Sequence, residues 1–386
     1  MVVGWQRATY TCRFTPNIKM ELYFFKFSVI TFSAFFTYNL CLLSSITNHI
    51  LWNNWIPVKH KHIDFMKKKF AVGIDVGGTT TKFGIVDRNG KILEQDRVAS
   101  NEHEIVEDFI DDLYAKLFPM IEKAGGTSNF VGIGMGEPNG NFYSGTIEYA
   151  PNLKWKGIIP IADLMEKKFG MMTKLTNDAN AAAVGEMMYG CTKSMKHFIT
   201  ITLGTGVGSG IVIDGKIVLG HDGFAGELGH TIIRPGGRVH KSTGVMGSLE
   251  SYASATGVRE TAIEMLTAHP EAPSLLRNYA INELTSETVY DCAMQGDNIA
   301  NNIFEFTGQI LGESLANFVM FSSPEAIILF GGLTKAGMLL LHPTRKHMEA
   351  NLLPIFQNKV KLLFSELKEA DAAILGASAL MWKLKA

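Results

Sequence analysis

Two stretches of the chain repeat one pattern of apolar and polar positions. Gly73–Ile92 reads GIDVGGTTTKFGIVDRNGKI, and Thr200–Ile217 reads TITLGTGVGSGIVIDGKI. Each begins as an apolar strand, passes through a turn rich in glycine and threonine, and returns as a second apolar strand (FGIVD, SGIVID). Each then turns at Asn-Gly or Asp-Gly, pairs suited to tight hairpins, into a third strand opening on Lys-Ile. After the first unit, Ile105, Phe109, Ile110, Leu113, Leu117 and Ile121 recur at helical spacing, and a short strand, NFVGIGMG, follows. After the second unit and an insertion, Ile303, Phe306, Ile310 and Phe318 mark a buried helix, followed by the strand EAIILFGG. Strand-strand-strand-helix-strand therefore occurs twice. The duplication predicts an α/β fold in which helices cover mixed sheets, with a cleft where the two glycine turns face one another.

The second turn, LGTGVGSG, has three readings. A Walker loop needs a hydroxyl after its lysine, and Gly210 with Gly215-Lys216 fits the spacing, but Ile217 follows. A dinucleotide fingerprint opens a helix, whereas here a strand follows the alternating Gly204, Gly206, Gly208 and Gly210. What remains is a glycine turn between antiparallel strands, either an ordinary hairpin or one whose bare amides admit a phosphate.

Composition narrows the partners. The 386 residues carry 36 basic and 37 acidic side chains, a net charge of −1, which gives no electrostatic case for nucleic acid. The four cysteines, Cys12, Cys41, Cys191 and Cys292, lie far apart, which argues against a disulfide framework and fits a reducing, cytoplasmic setting. Residues 1–65 read as an N-terminal extension. Residues 27–58 lack any Asp, Glu, Lys or Arg and are long enough to associate with a membrane. The alternative is a misassigned start, with the native chain beginning at Met66, directly before the first strand.

Five stretches in this order, GIDVGGTTTKFGIVD, TNDANAAAVGE, LGTGVGSG, GELGH and EAIILFGG, resemble the ROK family of sugar kinases and repressors, in the actin-like, hexokinase-like ATPase superfamily. The resemblance runs from Lys69 to about Ala386. It implies a two-lobed actin-like ATPase (ribonuclease H-like) fold, with an N-terminal lobe over 66–190 and a C-terminal lobe over 191–386. It implies an ATP-dependent sugar kinase, a glucokinase first, with N-acetylglucosamine, N-acetylmannosamine or mannose as other acceptors. The family also holds sugar-sensing transcriptional regulators with an N-terminal winged helix-turn-helix; residues 1–65 contain no recognisable pair of amphipathic helices. A sugar-binding protein without turnover is a third reading. A homodimer is also implied.

The resemblance assigns roles residue by residue. ATP phosphates are expected at Gly77, Gly78, Thr79, Thr80, Gly204, Thr205 and Gly206, with Gly331 and Gly332 also on the nucleotide. Asp75 is expected to hold Mg²⁺ through water; Lys82 either touches nucleotide or points to solvent. Asp178 is expected as general base, and Asn152, Asn177, Asp178, Glu227, His230 and Glu250 as the sugar-binding set. Asn177 or Asp178 as a mere helix cap is the plainer alternative. In most members a C-x-C-G-x-x-G-C-x-E segment and the GH histidine bind zinc. Here it reads KSTGVMGSLE: Gly244, Gly247 and Glu250 keep register, while Lys241, Thr243 and Ser248 stand at the cysteine positions. These cannot replace three thiolates, so zinc is expected to be absent.

Overall fold

The computed structural model describes residues 68–383. The expectations for residues 1–65 lie outside the described residues. Among those described, no helix is long and apolar enough to cross a membrane.

Two five-stranded sheets share one topology. The first contains β1 (Phe70–Val76), β2 (Thr80–Asp87), β3 (Ile92–Ala99), β4 (Phe130–Gly136) and, after three short strands, β8 (Thr173–Thr176), in the order β3-β2-β1-β4-β8. The short strands β5 (Gly140–Asn141), β6 (Thr146–Glu148) and β7 (Ile158–Ile159) form a small sheet of their own. The second large sheet contains β9 (Phe198–Leu203), β10 (Val207–Ile213), β11 (Lys216–Ile217), β12 (Ala326–Phe330) and β13 (Lys361–Phe364), in the order β11-β10-β9-β12-β13. In each, the first three strands form an antiparallel meander, and the fourth and fifth run parallel to the first. The expected duplication is present, with a fifth strand per half that the hydrophobic pattern did not reveal. Both fifth strands are only four residues long, too short for a clear alternation.

The helices are α1 (Val106–Lys123), α2 (Ile161–Phe169), α3 (Asp178–Tyr189), α4 (Glu250–Ala253), α5 (Ala255–Ala268), α6 (Ser286–Met294), α7 (Asn298–Ser322), α8 (Met338–Ala350) and α9 (Glu369–Lys383). Helix α1 buries Phe109, Leu113, Leu117 and Ile121 against Val72, Ile74, Phe83 and Ile85 of the first sheet. Each such fully buried side chain stabilises by about 1.5–3 kcal/mol. Ile105, counted in the helical pattern, is instead the exposed cap residue. Helix α7 packs Ile303, Phe304, Ile310 and Leu311 near Ile199, Ile201 and Leu203.

Between the sheets lie α9, on β1 and β4, and α3, on β10. Their closeness has a residue-level cause. A Cβ on Gly185 would meet the Gly376 Cα at 2.9 Å, and one on Gly210 would meet the Ala183 Cβ at 2.6 Å. The alanine-rich start of α3 and the glycines of β10 thus fit as one surface.

Candidate active site

Parallel pairing puts the carboxyl ends of β1, β4 and β8 on one edge of the first sheet. The same holds for β9 and β12 in the second. These edges border a cavity of about 570 Å³. Its wall includes Asp75 from the end of β1, Asn177 and Asp178 from the start of α3, and Gly204–Gly206 from the β9–β10 turn. Gly331 and Gly332, after β12, line it too, as do Asn152, Glu227, His230 and Glu250. Twelve of the expected site residues therefore come together from segments far apart in sequence.

The first glycine turn is placed differently. Gly77, Gly78, Thr79 and Thr80 connect β1 to β2 beside Asp75, but do not belong to the cavity wall. The Gly77 N–H donates to Thr80 O at 3.2 Å, and Ser100 N–H to Thr79 O at 2.9 Å. Gly78 is bare because Asn152 lies on it: a Cβ there would sit 2.7 Å from Asn152 O. The exposed Lys82 faces Asp75 across the β1–β2 ladder.

The second turn is tied to α4 and α5. Gly204 N–H donates to Gly206 O at 3.0 Å, and Ala255 N–H to Gly204 O at 2.8 Å. The Thr202 hydroxyl accepts from Gly208 N–H at 3.1 Å, and Glu250 Oε2 from Val207 N–H at 2.7 Å. Gly206 leaves room for that carboxylate, which a Cβ would strike. The turn joins two antiparallel strands and lines the cavity, so neither helix-opening motif applies.

At the start of α3, capping and cavity-facing roles coincide. Asn177 is the N-cap: its Oδ1 accepts from Asn180 N–H at 2.7 Å, and the same residue lines the cavity. Asp178 follows in the first turn, with Oδ1 accepting from Ala179 N–H at 2.8 Å. Its carboxylate is open to the cavity yet walled by protein. That burial raises its pKa, opposed by the hydrogen bond from Ala179. Asp75 is pushed up to about 6, chiefly by burial and then by the charge of Asp178, with Lys82 acting the other way. Glu227 is also raised, first by burial, then by Asp178 and Glu250; His230, its Nε2 3.8 Å from Glu227 Oε2, pulls it down.

The cavity is therefore acidic. Asp75, Asp178, Glu227 and Glu250 line it, with no lysine or arginine among the lining residues. A polyanionic phosphate enters such a site together with a cation. Asp75, a carboxylate at the end of β1 on the cavity wall, is of the oxygen-donor type that suits a hard ion such as Mg²⁺.

Sequence reasoning missed part of the wall: Gly136, Pro138, Asn139, Thr202 and Phe330. Asn139 adopts φ 52° and donates its amide to Glu148 O at 2.9 Å. Its neighbour Glu137 is fully buried, and neither carboxylate oxygen has a hydrogen-bond partner among the described residues. Burial pushes that carboxyl well above the usual range. No spacing in the sequence signals these residues; Gly136, Pro138 and Asn139 depend on where β4 ends against β8, and Thr202 and Phe330 on where β9 ends against β12.

Comparison with known proteins identifies the family. Residues 71–383 match the ROK family. The chain is 34% identical to a glucokinase of Halalkalibacterium halodurans over 83% of this chain and 96% of that protein. It is 29% identical to a xylose repressor of Caldicellulosiruptor bescii, over 80% of this chain and 77% of that one. A crystal structure of a ROK family glucokinase from Streptomyces griseus, in complex with glucose and AMPPNP, superimposes with a TM-score of 0.67 at 31% identity, covering 81% of this chain and 98% of that one. With its duplicated sheets, its two-lobed actin-like ATPase architecture and the family match over nearly all described residues, the chain belongs to the ROK family.

Proposed function

We propose that the protein is an ATP-dependent hexose kinase that converts glucose to glucose 6-phosphate. The observation that carries this reading is the position of Asp178: a cavity-facing carboxylate at a helix start, beside the glycine cradle of the β9–β10 turn. The similarity to glucokinases over more than four-fifths of the chain supports the same reaction.

In this reading Asp178 accepts the proton of the sugar C6 hydroxyl as that oxygen attacks the γ-phosphorus. The bond from the γ-phosphorus to the β–γ bridging oxygen breaks, and ADP leaves. A carboxylate of raised pKa suits the task, since a base works best when its pKa approaches the working pH. Asn177 has committed its Oδ1 to the helix cap, so its amide NH₂ is the group available to a sugar oxygen. Glu227, His230, Glu250 and Asn152 supply further polar contacts to the hydroxyls. Gly204, Thr205 and Gly206 receive phosphate oxygens, and the turn of Gly77–Thr80, beside Asp75, receives others. Asp75 would hold Mg²⁺ through water; when bound, the ion supplies charge neutralisation to the phosphates. The loop through Gly331 and Gly332 leads to a second cavity of about 800 Å³ bordered by Tyr290, Asn301, Asn302 and Lys335, which suits the nucleotide base.

The test is ADP release with ATP, Mg²⁺ and a panel of glucose, mannose, fructose, N-acetylglucosamine and N-acetylmannosamine. Turnover is expected with glucose first. Asp178→Asn is expected to lower it by about 10²–10⁴-fold while sugar binding persists. A folded protein that binds a sugar but turns over none would instead support a sugar-responsive regulator.

A further inference from the structure

The loop between His230 and Glu250 has no donor set for zinc. Each position where the family places a cysteine is occupied by a side chain engaged elsewhere. Lys241 Nζ donates to Glu260 Oε1 at 3.1 Å, the Thr243 hydroxyl lies 2.9 Å from His240 Nδ1, and the Ser248 hydroxyl lies 2.8 Å from that of Ser251. The Nδ1 of His230 is buried with no hydrogen-bond partner among the described residues. Among the described residues no cluster of three or more His, Cys, Asp or Glu side chains suits a metal. Zinc does not fit here.

We propose that His240 takes over the structural duty as a positioning residue, holding the sugar-side carboxylate Glu250 in place. His240 Nε2 lies 3.0 Å from Glu250 Oε1, with both side chains largely enclosed. The other carboxylate oxygen accepts Val207 N–H at 2.7 Å. Glu250 is thus gripped from both ends, by the loop on one side and by the phosphate-side turn on the other. In the tautomer in which the Thr243 hydroxyl donates to Nδ1, Nε2 carries the hydrogen that Glu250 accepts.

The hold is local because the stalk of the loop is fixed independently. Bridges pair Ile232 with Ser248 and Val239 with Met246, and His240 N–H donates to Val245 O at 2.8 Å. Arg238 donates to Ser251 O at 2.6 Å, Gly257 O at 3.0 Å and the Glu264 carboxylate, and lies over the Tyr252 ring. Removing the His240 ring therefore frees Glu250 Oε1 without unlacing the loop. The chain uses the same carboxylate to join sugar side and phosphate side, so the latch bears on sugar affinity before it bears on chemistry.

This inference rests on Glu250 facing the sugar, as in the proposed function. The experiment uses the full chain and reads glucose affinity by calorimetry beside the kinetic constants. His240→Ala is expected to weaken glucose binding and raise its KM by about tenfold, the size of one charge-assisted hydrogen bond, with kcat at saturating sugar nearly unchanged. His240→Gln, which can still donate to Glu250, is expected to recover most of the loss. Thr243→Ala, a milder change, is expected to produce a smaller shift in the same direction. A zinc chelator is expected to leave glucose affinity unaltered. Equal losses in kcat and in kcat/KM, an unchanged affinity in His240→Ala, no rescue by Gln, or a chelator effect matching that of His240→Ala would each overturn the proposal. Glucose binding without turnover in the parent protein would defeat the kinase reading alone, since the affinity comparison does not depend on it.

Discussion

At the scale of single residues, Asp75 carries a conflict between stability and function. Its carboxyl is pushed up to about 6 from 3.8, by burial and by Asp178. A folded-state pKa above the unfolded one means that the ionised form is less comfortable in the folded protein. The cost is present in full above about 6 and disappears as pH falls toward 3.8, where both states are protonated. Asp75→Asn removes the charge. It is expected to raise the urea midpoint at pH 8, with a gain that shrinks as pH falls through 6, and to abolish turnover. A constant gain at every pH would assign the effect to packing. Glu137 carries a larger cost of ionisation, because it is fully enclosed and its carboxylate oxygens have no hydrogen-bond partner among the described residues.

At the scale of elements, the site depends on how closely α3 approaches β10. Gly210→Ala places a methyl 2.6 Å from the Ala183 Cβ and 3.0 Å from Ala179 O, where one neighbour is backbone and cannot move aside cheaply. The expected destabilisation is about 1–3 kcal/mol, read from chemical denaturation. Turnover is expected to fall as well, since the same shift moves Asn177 and Asp178. A stable, fully active variant would show that the helix relaxes without loss. The alanines and glycines of TNDANAAAVGE and LGTGVGSG were legible as small residues, but their mutual contact was not. Contact between segments so far apart in the chain has no local signature.

At the scale of the whole molecule, the cavity takes its walls from both sheets. Asp75, Asn177 and Asp178 come from the first half, and Gly204–Gly206, Glu227, His230 and Glu250 from the second. A ligand that binds there links the halves and favours the folded state over the unfolded one. Glucose at a hundred times its Kd is expected to add about 2.7 kcal/mol of stability, seen as a rise in the thermal midpoint. No shift at saturating sugar would argue against a sugar site in this cavity.

The sequence by itself determined the duplicated strand order, the two glycine turns and, through the family resemblance, half the residues of the cavity wall. Period-two strands, hairpin pairs and helical spacing are local patterns, written within a few residues of each other. The chemistry of KSTGVMGSLE was equally local: three non-thiol side chains stand where zinc would need thiolates. The tertiary structure alone decided the rest. It set the first glycine turn beside the cavity and not in its wall, added a fifth strand to each sheet, and brought Glu137 into a fully enclosed position. It also aimed His240 at Glu250, a pair whose meaning depends on the path of one loop. These facts depend on which strands pair and how far two sheets stand apart, and that spacing is set by packing over the whole chain.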